Sequence, residues 1–352
     1  MKAAPERLRP NIPIVMITSK PVPVDLTKRR ESLDLAFIID TTGSMSSYIE
    51  TARRNIQRVV DEISTDSNKD IQFALVEYRD HPQQDHTYVF RKHDFTPSVS
   101  TMKSWLDASQ ASGGGDTQEA VADALHTWNS LSWRPNAVKI AVLISDAPPH
   151  GLVTSGDRWP DGDPLGIDPV KMAYRMARIG ITLYSVGCEP SILPYKDFFQ
   201  ALAYIAGGQY VPLSTPQALI DAIIGGAKEE LAMRKISEEV DKEVSAVKAK
   251  GGKPERDAIT RSVYDRLHKS GTKATTLLKN NKPLAGPSKA ALEIAKSKSL
   301  PEAKKIFAKM VPGGSGSPPV SPPVSEVYTA VERPVSYDQV SRAASKAFAA
   351  SA

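Results

Sequence analysis

Along this chain, uninterrupted apolar runs alternate with stretches whose apolar residues recur every three or four positions. Leu35 to Ile39 run without a polar break into Asp40, and similar runs lie in IQFALVEY (71–78), VKIAVLIS (138–145) and ITLYSVG (181–187). With TYVFRKHDF (87–95) and GQYVPL (208–213), they predict six strands, the first over 34–40. Helical spacing fills the intervals at 45–64, 98–109, 117–130, 168–179, 195–206 and 215–226. A strand with no polar alternation has no solvent side, so these strands need helices on both faces. The predicted fold class is therefore α/β, a doubly wound, mostly parallel six-stranded sheet.

The pattern changes on either side of this block. Residues 1–33 are Pro-rich and basic (PNIP, KPVPV, KRR) and read as an extended N-terminal arm. After Gly225-Gly226 comes a charged helical stretch, ended by Gly251-Gly252, with further helices predicted at 254–269 and 287–309 around the loop NNKPLAGPS. The segment 311–325, VPGGSGSPPVSPPVS, has the composition of a polyproline II linker, and SYDQVSRAASKAFAASA after it is a marginal helix at best. The predicted organisation is thus an arm (1–33), an α/β domain (34–227), a basic helical extension (228–310) and a linker with a disordered tail (311–352).

Composition and charge refine this picture. At 352 residues and 41% hydrophobic, the chain has material for at least one sizeable core. The net charge of +5 hides an asymmetry: residues 1–227 carry 22 Lys and Arg against 26 Asp and Glu, residues 228–352 carry 23 against 14. One cysteine, Cys188, forms no intramolecular disulfide, and the short run IPIVMI is no signal peptide, so a reducing compartment, the cytoplasm, is expected. No apolar run reaches the roughly eighteen residues a membrane span needs.

In an open parallel sheet, ligands gather beyond the carboxyl ends of the strands where strand order reverses. Asp40-Thr41-Thr42-Gly43-Ser44, ASGGGDTQEA (111–120), Asp146 in LISDAPPHG and Asp80 in EYRDHP all fall at that edge. Carboxylates and hydroxyls on separate loops suit a hard divalent cation, since Mg²⁺ takes about six oxygens at roughly 2.0–2.1 Å and retains waters. Mn²⁺ or Ca²⁺ fits the same donors, whereas Zn²⁺ is disfavoured because no His/Cys set has structural spacing.

Asp40-x-Thr42-x-Ser44 resembles the D-x-[ST]-x-S signature of the von Willebrand factor A domain and its metal-ion-dependent adhesion site. The resemblance covers about 34–227 and implies a Rossmann-like sheet, an ion held by Asp40, Thr42, Ser44, a residue of the second loop and Asp146, and one position left for a partner's Asp or Glu. In the second loop the common family pattern favours Thr117, the slight preference here, while the likeness of GGDTQE to integrin β domains would favour Glu119 and Asp116. Acidic residues for an adjacent second site are absent, the positions being Ser46, Ser47 and Tyr48. VEYRDHPQQD, GGGDTQEAVADAL and VLISDAPPHG further resemble the A domain that precedes the kinase in certain alpha-kinases. The 125 residues after 227 are too few and too rich in Lys, Ala and Pro for such a kinase domain.

The expected function is a metal-dependent protein-binding module, with an enzyme related to those kinases as the rival. Plainer readings stand beside the other polar groups. The loop 156–168, with Asp157, Asp161, Asp163 and Asp168, reads as a solvated turn-rich loop ahead of a second cation site. His81, His86 and His150 read as rim or hydrogen-bonding residues, the four tryptophans as core, and Cys188 as a small buried residue. The basic C-terminal part reads as a solvated helical extension ahead of a nucleic-acid or anionic-surface binder, and SPPVSPPVS is a weak candidate for SH3 or WW docking.

Overall fold

The computed structural model describes residues 32–63, 70–310 and 326–352. The proposed arm, apart from Ser32 and Leu33, and the linker 311–325 lie outside the described residues. Six strands, β1 (Ser32–Asp40), β2 (Asp70–Tyr78), β3 (Phe90–Thr96), β4 (Val138–Ser145), β5 (Ile181–Cys188) and β6 (Tyr210–Leu213), form one sheet in the order β3-β2-β1-β4-β5-β6. All neighbours are parallel except β2 and β3, so the antiparallel strand sits at an edge. β1 lies between β2 and β4, where the strand order reverses.

The alternation of side chains along β1 divides the core. Leu33, Leu35, Phe37 and Ile39 pack on one face beneath α1 (Ser46–Ile63), α2 (Val99–Ala108) and the start of α6 (Leu219–Ala249). Ala36 and Ile38 face the other side, covered by α3 (Val121–Thr127), α4 (Pro169–Arg178) and α5 (Lys196–Ile205). α3 starts four residues later than the spacing predicts, because the backbone of 119 and 120 is bonded to two other loops: Glu119 N–H donates to Pro148 O (3.0 Å) and Ala120 N–H to Arg79 O (2.9 Å). That detour positions the candidate site.

The C-terminal third corrects the predicted organisation. α6 runs unbroken through the expected boundary at 227, and Gly225 is a close-approach residue: a Cβ there would overlap the side chain of Leu277 on β7 (Lys273–Lys279). The extension is not all helical. After α7 (Arg256–Lys269), β7 pairs antiparallel with β8 (Lys282–Pro283) and with β9 (Tyr328–Pro334), and this three-stranded sheet packs on α6; α8 (Lys289–Ile294) and α9 (Leu300–Met310) pack on the opposite face, beside α4 and α5. Nor are residues 326–352 disordered. β9 pairs with β7 over Lys273↔Pro334 to Lys279↔Tyr328, and α10 (Tyr337–Ala350), opened by a Ser336/Gln339 capping box, buries Val340, Ala343 and Ala344 against α6 and α7. Arg342 of α10 is itself buried, 3.1 Å from Glu229 of α6. Among the described residues no helix is long and apolar enough to cross a membrane.

Candidate metal centre

The buried strand β1 delivers Asp40 rigidly to the carboxyl edge of the sheet. Asp40 is 0% exposed; its Oδ1 accepts from Thr42 N–H (2.9 Å) and Thr42 Oγ1 (2.7 Å). Its Oδ2 is buried with no hydrogen-bond partner in the described structure. An unpaired buried carboxylate oxygen costs free energy, so its neighbours define what it is for. Thr42 Oγ1 lies 3.4 Å from Ser44 Oγ, and the exposed Ser44 stands beside Asp146, the half-buried residue that follows β4.

The second loop closes over this group. Ser112 N–H donates to Thr41 O (3.1 Å) and Gly43 N–H to Gly113 O (3.3 Å), which binds the loop to the β1 turn. Gly114 has φ +87°, and a Cβ there would lie 3.1 Å from Glu119 Oε1 and 3.5 Å from Thr42 Cβ. The structure thus turns Glu119 toward Thr42 and the carboxylates, 4% exposed and with Oε2 unpartnered. The Thr117 side chain is exposed. Asp116 is occupied elsewhere, its oxygens accepting from Gln84 Nε2 (3.1 Å), Arg158 N–H (3.1 Å) and Gln118 N–H (3.2 Å). Asp40, Thr42, Ser44 and Asp146 therefore lie close together at this edge. In the 116–119 loop it is the alternative Glu119, not the preferred Thr117, that faces them.

The electrostatics agree with the geometry. Burial, and then the negative charges of Asp146 and Asp80, push the Asp40 carboxyl up to about 7 against its bonds from Thr42. Burial first, then Asp40, Asp80, Asp116 and Asp146, push Glu119 up to about 10. Burial also raises Asp146, opposed by Ser44. A group of carboxylates that resist ionising together is stabilised by a proton or a cation among them, and hydroxyls interleaved with them favour a hard cation.

Beside this edge, the loop 156–168 departs from the solvated reading. Asp161 is exposed, but Asp163 and Asp168 are each 8% exposed and the Asp157 side chain is buried, because all three serve buried donors. Asp168 Oδ1 caps α4 through Val170 and Lys171 N–H, and its Oδ2 accepts from Leu300 N–H at 2.8 Å. Asp157 Oδ1 lies 2.7 Å from His150 Nδ1, and His150 Nε2 lies 2.7 Å from Asp80 Oδ1. His150 is a hydrogen-bonding residue, as expected, but one in the interior. Asp123 of α3 escaped the sequence reading altogether. Its signal was a lone carboxylate among the apolar positions of AVADAL.

Comparisons with known proteins follow this architecture. The von Willebrand factor type A domain family model matches residues 34–210. The alpha-protein kinase vwkA of Dictyostelium discoideum is 34% identical over 159 residues, 44% of this chain and 25% of the kinase. A putative ariadne-like RING finger protein, R811, of Acanthamoeba polyphaga mimivirus is 25% identical over 195 residues, 53% of this chain and 19% of that protein. The chain thus spans a quarter or less of the length of these two relatives. Among solved structures, the pilus adhesin SpaC from Lactobacillus rhamnosus GG aligns with a TM-score of 0.43 at 12% identity, over 57% of this chain and 31% of the adhesin. The matched segment takes in the first five strands, the start of the sixth and every candidate ligand, and the chain belongs to the von Willebrand factor type A domain family.

Proposed function

We propose that the Asp40 edge holds a divalent cation, Mg²⁺ with Mn²⁺ or Ca²⁺ as substitutes, and through it binds a carboxylate of a protein partner. The observation that carries this reading is the Asp40 Oδ2, fully buried, without a hydrogen-bond partner among the described residues, and at the switch point of the sheet. Asp40 and Asp146 neutralise a divalent ion, while Thr42 and Ser44 add oxygens without charge. Glu119 faces the group from the second loop, and as a third carboxylate ligand it would make the site anionic and weaken its hold on an incoming carboxylate. An incoming Asp or Glu can then replace a water on the exposed Ser44 side.

The rival enzymatic reading, prompted by the kinase among the relatives, finds little support at this edge. Both His150 nitrogens are engaged by carboxylates, which leaves that ring no free position for base catalysis. The thiol of Cys188 is held well above its usual range by burial and then by Asp146 and Asp40, so it is no thiolate nucleophile. The basic C-terminal part is partly consumed by internal pairs, Arg266 with Glu239 and Glu243 and Arg342 with Glu229, which favours a packed layer over a nucleic-acid surface.

Calorimetry of the full chain with Mg²⁺ and Mn²⁺, wild type against Asp40→Ala, is the test, with both proteins checked by circular dichroism. Binding lost in a folded Asp40→Ala supports the site, and equal binding by both removes it. A pull-down in Mg²⁺ against EDTA then separates metal-bridged partners from the rest. ATP turnover should stay at background in every sample; turnover that needs Mg²⁺ and is lost in Asp40→Ala would favour the enzyme.

A further inference from the structure

We propose that His81, Asp123 and Asp163 form a second, closed divalent-cation site of the mixed nitrogen and oxygen kind taken by Zn²⁺ or Mn²⁺. It draws on different residues from the Asp40 edge and stands independently of that reading. His81 follows β2, Asp123 lies in α3, and Asp163 lies in the loop between β4 and α4. His81 Nε2 is 3.1 Å from Asp123 Oδ2 and 3.1 Å from Asp163 Oδ2, with the three side chains 4%, 1% and 1% exposed.

The decisive feature is that these atoms meet one another in ion-pair contact, yet none has a well-formed hydrogen bond. His81 Nε2, both carboxylate oxygens of Asp123 and Asp163 Oδ2 are buried without a hydrogen-bond partner in the described structure. Both oxygens lie 3.1 Å from the one Nε2, so a single ring proton, shared between them at best, is all the nitrogen can offer two carboxylates. His150, a few ångströms away, shows how the same protein satisfies a histidine with protons: its two carboxylates sit on two different nitrogens, each at 2.7 Å. At His81 both carboxylates converge on a single nitrogen. A tetrahedral shell with bonds of about 2.0–2.1 Å sets its ligands about 3.3 Å apart, close to the spacing seen here.

The ligands are also held in place. Asp163 Oδ1 accepts from Leu165 N–H (2.9 Å) and Ile167 N–H (2.8 Å), which aims Oδ2 at His81. His81 N–H donates to Asp80 Oδ1 (2.6 Å), its carbonyl accepts from Gln84 and Asp85 N–H, and Trp159 packs edge-on against its ring. Asp123 rides on a helix whose neighbouring side chains are buried, and its second unpartnered oxygen offers a further ligand. Two carboxylates neutralise a divalent ion, and the imidazole nitrogen favours Zn²⁺ or Mn²⁺ over Mg²⁺, which prefers an all-oxygen shell. Such an ion would clip the loop 156–168 to α3 and to the turn after β2.

The experiment loads the full chain with Zn²⁺, and separately with Mn²⁺, removes loosely held metal by gel filtration, and counts ions in wild type, Asp40→Ala and Asp123→Asn. The proposal expects Asp40→Ala to retain one ion per chain and Asp123→Asn to lose that ion. Zinc-edge X-ray absorption should show one imidazole among oxygen ligands in the wild type and lose it in His81→Asn, which separates this site from the neighbouring His150 with Asp80 and Asp116; a wild-type spectrum without imidazole overturns the proposal even where a variant fails to fold. A wild-type chain that retains no ion, a zinc spectrum without imidazole scattering, or a folded Asp123→Asn that retains the full ion would overturn it.

Discussion

Two carboxylate clusters lie along one edge of the same sheet, and they differ in access to solvent. At the Asp40 edge the innermost carboxylate is fully buried, but Ser44 is exposed and Asp146 only half-buried, so one side stays open. Around His81 every member is closed off, and the loop 156–168 packs over it through Asp163 and Trp159. Charge alone does not separate the two, since each gathers acidic groups that burial makes costly. What separates them is the outer wall. The open cluster suits exchange with something from outside, and the closed one suits holding loops together.

The largest effect that would test this contrast lies in the network between the clusters. His150→Ala leaves Asp80 and Asp157 buried and facing each other across a gap, and should destabilise the fold by about 3–5 kcal/mol in urea melts. Burial opposes the charge on His150, but Asp157 and Asp80 outweigh it and push the ring up to about 9. Because this lies above the unfolded value of about 6.5, the stabilisation is complete below that pH and is lost as pH rises through about 9. Melting temperatures in chelator should therefore fall between these limits in the wild type. A wild-type curve as flat as that of His150→Ala would show the network to be uncharged.

A smaller effect is expected where the closed wall is tied down. Asp168 caps α4 and accepts from Leu300 N–H, so Asp168→Ala removes a cap and a buried hydrogen bond, costing together about 2 kcal/mol. Ser44→Ala, at the open edge, should stay within about 0.5 kcal/mol of wild type in the same melts. Equal losses in the two variants would erase the structural distinction between the walls.

How much of this was legible in the sequence follows from the range of the interactions. β1, β2, β4 and β5 announce themselves because a strand covered on both faces must be apolar throughout, and Asp40 and Asp146 stand where those runs stop. The strands β7 and β9 were hidden: KATTLLK and YTAVERP pair across some fifty residues, and only that pairing gives either a place. α10 looked marginal because its apolar face is mostly alanine, yet α6 and α7 supply the surface it needs. The buried aspartates of 156–168 carry the composition of a solvated loop, and nothing local reveals the backbone donors and histidines that draw them inward. Glu119 belongs to the same class, since the partners that turn it, Pro148 and Arg79, lie on other loops.

The finest test concerns that second loop, where sequence and structure point to different residues. The family pattern favours Thr117, whose side chain is exposed, while the backbone bonds from Glu119 and Ala120 to the loops after β4 and β2 turn Glu119 inward against Thr42. Removing its charge by Glu119→Gln keeps the shape and deletes one carboxylate from the group around Asp40, so Mg²⁺ affinity should fall about tenfold, or about 1.4 kcal/mol. Thr117→Ala, which touches an exposed hydroxyl, should change it less than about threefold, or about 0.7 kcal/mol. Calorimetric titration of both variants ranks them directly. The reverse ranking would mean that the loop 111–120 rearranges when the ion enters, releasing Glu119 and drawing Thr117 in, and the open edge would then be a moving part rather than a preformed one.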